Sequence, residues 1–341
     1  MIEPCLPDIL CCNLIENIKP NKFFNIHFFT LNLSRKHNLP SQQRLLNKNF
    51  INMNIVYLVF GSNMDHHQQA YLSIYSAFAH KNIEDRIIVV AENPSLFNSF
   101  EDKIEIIPIN KEIIKDWEGK YQFFWRVKIK ALQMIAQKYP NDSLLYLDGD
   151  TFFYQNMDVL RDGLKNGQNY MHIKEGKLSA LSSKTEKLMW QQMKGKTYHN
   201  TKIDENSTMW NAGLIGISHQ HFDCLDLTLG INDAMCADNV TRRLIEQFSF
   251  SLGLNEYSAL QPADHVVGHY WGNKKQWNEI ISHFLKECFM KNYSFDEIID
   301  QVREMNLTQN PIRVRESSTQ RKLKNFIDQF FKNKKPVYAN R

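Results

Sequence analysis

The chain of 341 residues is long enough for one large domain or two smaller ones, and 43% hydrophobic with 12% aromatic residues is ordinary for a protein with a packed core. A formal net charge of +4 is too small to argue for nucleic acid as a partner, and no apolar run approaches the roughly 18–20 residues of a spanning helix. The six cysteines form no C-x-x-C pair and have no histidine partner at zinc spacing, so a reduced, cytoplasmic setting is expected.

The first 52 residues differ from the rest. Residues 31 to 52 are rich in Asn, Gln, Lys and Arg and lack periodicity, and the opening residues do not read as a signal peptide. Residues 1–52 are expected to be an extension outside the fold. A buried strand begins abruptly at Met53 and ends in Gly61-Ser62-Asn63. A helix is expected from His66 to His80, with Ala70, Ile74, Ala77 and Phe78 on one face, and a strand from Arg86 to Ala91. A short helix follows over 94–100, then a strand over 104–109 and a helix over 123–139 closed by Pro140-Asn141-Asp142. This alternation predicts an α/β fold with a mostly parallel central sheet, helices on both faces and further helices at the C-terminal end. Residues 175–207 are polar and weakly periodic, a helix and loops over the sheet. Met209 opens a second strand-like run, and residues 226–252 have a helical pattern.

The densest chemistry lies at residues 144–153. The continuous apolar run Leu144-Leu145-Tyr146-Leu147 reads as a buried strand, and it runs into Asp148-Gly149-Asp150. Residues two apart in an extended chain point the same way, so both carboxylates can face one point at the strand's carboxyl end. Two hard oxygen ligands there suit Mg²⁺ or Mn²⁺ carrying a diphosphate. Gly149 is expected to let a ligand approach the backbone. The alternative is a turn, for which Asp-Gly is a common dipeptide.

Four segments, in order, resemble the family-8 glycosyltransferases, nucleotide-sugar enzymes of the GT-A fold with a Rossmann-like sheet. Arg126-Val127-Lys128-Ile129 resembles that family's arginine segment, and Leu145-Tyr146-Leu147-Asp148-Gly149-Asp150 resembles its Y-L-D-x-D. Trp210-Asn211-Ala212-Gly213 resembles F-N-A-G, and the run from His269 through Gly272 and Lys275 to Trp277 resembles H-x-x-G-x-x-K-P-W. The resemblance covers about residues 53–280, leaving 281–341 as a C-terminal helical region. The chain departs from the family at Gly61-Ser62-Asn63, where an Asp is usual, at Glu246-Gln247-Phe248 in place of D-Q-D, and at Gln276 in place of proline.

The resemblance implies a metal-dependent transfer of a sugar from a nucleotide diphosphate sugar, UDP-linked by expectation, to a glycan or lipid-linked acceptor with retention of configuration. In that reading Asp148, Asp150 and His269 hold Mn²⁺ or Mg²⁺, and Asp148 also touches the ribose. Arg126 and Gly272 contact the donor, Asn211 and Glu246 serve the reacting sugar, and Lys275 offsets charge as the diphosphate leaves. Each residue has a plainer alternative: a packed histidine, a surface arginine over Trp125 or Phe124, a solvated lysine, a turn asparagine, an exposed glutamate. Two other readings compete, a phosphatase with an aspartate nucleophile (D-x-D-x-T, here Asp148 to Phe152) and a non-catalytic nucleotide-sugar-binding protein. Leu323, Phe326, Ile327, Phe330 and Phe331 share a helical face among lysines and arginines, so the tail is expected to pack on the domain or lie on a membrane surface.

Overall fold

A computed structural model describes residues 52–313 and Phe326. The expectations for residues 1–51 and for the rest of the tail lie outside the described residues. The first half of the fold follows the predicted alternation. Strand β1 (Met53–Val59) leads to helix α1 (Met64–His80), β2 (Arg86–Ala91), a 3₁₀ segment (Pro94–Lys103) and β3 (Glu105–Pro108). Helices α2 (Lys111–Glu118) and α3 (Arg126–Lys138) precede β4 (Ser143–Leu147). Asn63 opens α1 by accepting a hydrogen bond from the Asp65 amide, so the Gly-Ser-Asn turn is also the helix's N-cap.

The second half is more broken. It comprises β5 (Thr151–Phe153), α4 (Asp158–Lys165), β6 (Tyr170–Met171), β7 (Lys174–Lys177), α5 (Lys184–Met193) and the short hairpin β8 (Thr197–Tyr198) and β9 (Thr201–Lys202). Then come β10 (Thr208–Trp210), β11 (Leu214–Ile217), α6 (Cys224–Ala237), α7 (Ile245–Asn255), β12 (Gln261–Pro262), β13 (Val267–His269), α8 (Lys274–Met290) and α9 (Phe295–Glu304). The helical pattern of residues 226–252 is therefore two helices. Asn239, at φ +54° in the left-handed region, breaks it.

A seven-stranded sheet in the order β12-β6-β11-β4-β1-β2-β3 forms the centre. All its pairs are parallel except those of β11, which runs against both β4 and β6. Alternate residues of β1 face two separate cores. Ile55, Tyr57 and Val59 meet Leu72 and Ile74 of α1, Trp277 and Ile281 of α8, and Ile299 and Val302 of α9. Val56 faces the other side, with Val127 and Ile135 of α3, Leu225 of α6 and Phe250 of α7. The central strands are covered on both faces, which is why their sequences are continuously apolar. Three of the cysteines, Cys224, Cys236 and Cys288, are buried and free. No described helix is long and apolar enough to cross a membrane.

The boundary expected at residue 280 falls inside α8, a helix that begins beside the predicted site and buries Trp277 and Ile281 in the same core as α1. Its first buried residue, Trp277, stacks on Tyr270 with ring centroids 4.4 Å apart and on Phe152 at 4.8 Å, and its indole N–H donates to the Pro311 carbonyl at 3.1 Å. Trp277→Ala removes the centre of that stack. It should lower unfolding free energy by about 3–5 kcal/mol, measurable by urea denaturation. A loss under about 1 kcal/mol would show that the stack does not anchor α8.

Candidate active site

Strand register brings three separated sequence segments together. Leu214 of β11 pairs with Leu147 of β4, so the turn before β11 crosses the end of β4, and the Asp148 amide donates to the Gly213 carbonyl at 2.9 Å. His269 of β13 pairs with Thr151 of β5, next to Asp150, and the Tyr270 amide donates to the Asp150 carbonyl at 3.1 Å. The result is a cluster in which one ligand atom each from Asp148, Asp150 and His269 lie within 4.8 Å of one another. The cluster sits in a cleft of about 320 Å³ at the carboxyl ends of β1 and β4, where ligands of such sheets bind.

His269 is buried to 5% exposure and its ring is fixed from behind. Asn211 Oδ1 accepts from the Gly213 amide at 3.0 Å, which sets the orientation of the side-chain amide, because a backbone N–H can only donate. The same oxygen lies 2.9 Å from His269 Nδ1, so Nδ1 carries the proton and Nε2 presents a lone pair. Gly213 is required here: a Cβ at that position would come within 2.1 Å of His269 Nδ1. Nε2 in turn lies 3.4 Å from Asp150 Oδ1. In the neutral ring that lone pair faces a carboxylate oxygen, a repulsion that a proton on Nε2 or a metal ion between the two groups removes. Two carboxylates and one imidazole nitrogen are a donor set that suits a divalent metal. Gly149 lines the cleft with its backbone, between the two aspartates. A Cβ there would lie against Ala70 of α1 at 3.4 Å, so the glycine's free side faces the helix.

Charge in the cleft is balanced by two lysines. Lys128 is buried and bridges Asp148 at 3.1 Å and Glu246 at 3.0 Å. Burial disfavours its charge, but the two carboxylates outweigh burial and raise its pKa. Glu246 must share that one cation with Asp148, and its own burial holds its pKa above the ordinary value. Lys274, at the start of α8, lies 2.8 Å from Asp150 Oδ2. Burial of Asp150 is outweighed by His269 in its protonated form and by Lys274, which lower its pKa.

The predicted residues divide accordingly. Asp148, Asp150, Asn211, Glu246 and His269 line one cleft. Arg126 lies elsewhere: its guanidinium pairs with Asp233 at 2.8 Å and donates to the Trp117 carbonyl at 2.6 Å. Gly272 also lies outside the lining and bridges to Arg313; Lys274 and Lys275 are both exposed, but only Lys274 lines the cleft. Sequence reasoning missed Lys128 and Lys274, and helix phase was the available signal. Lys128 shares the apolar stripe of Leu132 and Ile135, and Lys274 shares that of Trp277 and Ile281, whereas Arg126 and Lys275 do not. It also missed the cleft's aromatic mouth, where Phe124 and Trp125 are half exposed and Phe60 lies 5.0 Å from Phe124.

Neither protein-family profiles nor curated proteins give a match. Among solved structures, the chain is similar to mouse xyloside xylosyltransferase 1 in its apo form, at 11% identity, 62% of this chain, 85% of that one and TM-score 0.43. It is similar to the galactosyltransferase LgtC with donor and acceptor sugar analogs, at 15% identity, 62% and 73% coverage and TM-score 0.41. An active-site mutant of LgtC gives 15% identity, 62% and 72% coverage and TM-score 0.40.

Two outcomes test this geometry. Asn211→Ala should weaken Mn²⁺ binding about 10- to 100-fold by calorimetry, because the ring loses the acceptor that fixes its tautomer; unchanged affinity would assign Asn211 another role. The second concerns His172, whose ring meets that of His269 edge-on at 5.3 Å. Burial, and then the neighbouring His269, push its pKa down to about 4. An unfolded chain would bind this proton near pH 6.5 and the folded chain only near 4, so stability is intact above pH 6.5 and falls as pH drops from 6.5 to 4. The loss is at most about 3 kcal/mol. His172→Phe should flatten that part of the stability–pH curve in denaturant titrations, and an identical slope in wild type and variant would refute the assignment.

Proposed function

We propose that the chain is a metal-dependent glycosyltransferase that takes a sugar from a nucleotide diphosphate donor. The observation that carries the reading is the convergence of Asp148, Asp150 and His269 on one point in the cleft, with Lys274 beside it. When bound, the metal would supply Lewis-acid stabilisation of the departing diphosphate. Asp148, Asp150 and His269 would hold it, with Mn²⁺ favoured by the imidazole. Lys274 is the cation placed to compensate the growing charge on the leaving group, in the role expected of Lys275. Lys128 holds Asp148 and Glu246 in register at the cleft floor. Phe60, Phe124 and Trp125 offer ring faces on which a nucleobase can stack. A uridine nucleotide, a glycan or lipid-linked acceptor and retention of configuration remain part of this reading on the strength of the sequence motifs.

The test is a thermal-shift series with UDP, GDP, dTDP and CMP, each with and without Mn²⁺. One nucleotide should raise the Tm only together with the metal, by roughly 5 °C at a hundredfold excess over Kd. Asp150→Asn should abolish the shift, and Lys274→Ala should reduce it while Lys275→Ala leaves it in place. Shifts that survive chelation, or that Asp150→Asn leaves unchanged, would overturn the proposal.

A further inference from the structure

Behind His269 lies a second cavity, of about 840 Å³. His269 lines both spaces. Glu175 lines the second one, and its carboxylate accepts hydrogen bonds from two residues of the first, Asn211 Nδ2 at 3.3 Å and Gln247 Nε2 at 3.1 Å. The two spaces thus meet along one seam of polar side chains, next to the candidate metal ligands. A molecule in the second cavity would present a group to the first across that seam.

The lining states what kind of molecule fits. Its charges are of both signs, Lys174 and Arg313 against Glu175, Glu186 and Asp264, so the cavity is not built to neutralise a phosphate. Trp271 lines it with 44% of its surface exposed, and the Arg313 guanidinium lies over the indole at 4.8 Å. An exposed indole fixed in place by a cation is a flat apolar surface suited to the C–H face of a ring. His172 lines it too, at 4% exposure. Its Nε2 lies 2.9 Å from the Val267 carbonyl, which can only accept, so the proton is on Nε2. Nδ1 is then a buried acceptor, and it has no partner. A buried acceptor without a donor is costly, and a hydroxyl would satisfy it.

We propose that this second cavity binds an uncharged saccharide as the acceptor. A sugar ring stacks on Trp271, and its hydroxyls donate to His172 Nδ1 and to Glu175, the latter holding the hydroxyl nearest the seam. This selects a free glycan over a phosphate-bearing, lipid-linked acceptor, and it rests on the transferase reading of the cleft.

The experiment is saturation-transfer NMR on the full chain with lactose, maltose, cellobiose and glycerol 3-phosphate as probes, in the presence of Mn²⁺ and UDP, with Mn²⁺–UDP affinity measured separately. Two variants report on the cavity: Trp271→Ala removes the stacking face, and Ile173→Trp fills the space from a half-exposed position whose backbone carbonyl, the partner of the Asn211 amide, is retained. At least one disaccharide should bind wild type, and both variants should weaken it about tenfold or more. Mn²⁺–UDP affinity should stay within about twofold. No disaccharide binding, binding that both variants leave unchanged, or tighter binding of glycerol 3-phosphate would overturn the inference. If Mn²⁺–UDP fails to bind while a disaccharide binds and both variants lose it, the transferase reading fails and the cavity stands as a saccharide site.

Discussion

The site is governed by the cost of burying like charges. Asp148, Asp150 and Glu246 converge at the end of the central sheet, Asp150 at only 5% exposure. Three carboxylates in that space are tolerable only with cations among them. Two cations come from the chain itself. Lys128 serves Asp148 and Glu246, and Lys274 serves Asp150. His269 Nε2 faces an Asp150 oxygen at 3.4 Å, a pairing that either a proton on the ring or a divalent ion completes. The same cleft that suits a metal thus already contains the positive charge that a diphosphate would meet.

That balance explains why the Asn-Ala-Gly turn takes its form. The asparagine is less a group aimed at substrate than a fixture for the imidazole: one oxygen receives both the Gly213 amide and the His269 ring. The glycine leaves room for the ring to approach the backbone. The other end of the asparagine reaches Glu175 and so ties the candidate metal ligands to the second cavity. A sequence motif of three residues is here the mechanical link between two cavities.

Much of this was legible in the sequence because strong local patterns survive folding. The apolar runs at Met53, Arg86 and Leu144 became central parallel strands, and the carboxylates at their end landed where such sheets place ligands. The motif match on helices pointed to residues that do not line the cleft. Arg126 and Lys275 each sit one or two residues from the lysine that enters the cleft, and a shift of one residue turns a helical side chain through about 100°. The apolar stripe on each helix marks the lysine that faces the cleft, since a residue within that stripe is turned toward the interior. The antiparallel course of β11 and the break at Asn239 were not visible, because each depends on tertiary pairing or on a left-handed residue that local pattern does not reveal. The second cavity was equally hidden, assembled from β5, β13, the loop after β6 and the residues beyond α9.

The antiparallel insertion of β11 has a mechanical implication. Asp148 and His269 stand far apart along the chain, and α4 through α7 lie in the loop between them. An ion shared by these residues would act as a reversible clip closing that long loop, and loop-closing links weigh most on the entropy of the unfolded chain when the loop is long. Saturation of the cleft would then raise the resistance to unfolding of the whole segment from β5 to β13, including helices that touch neither ion nor nucleotide.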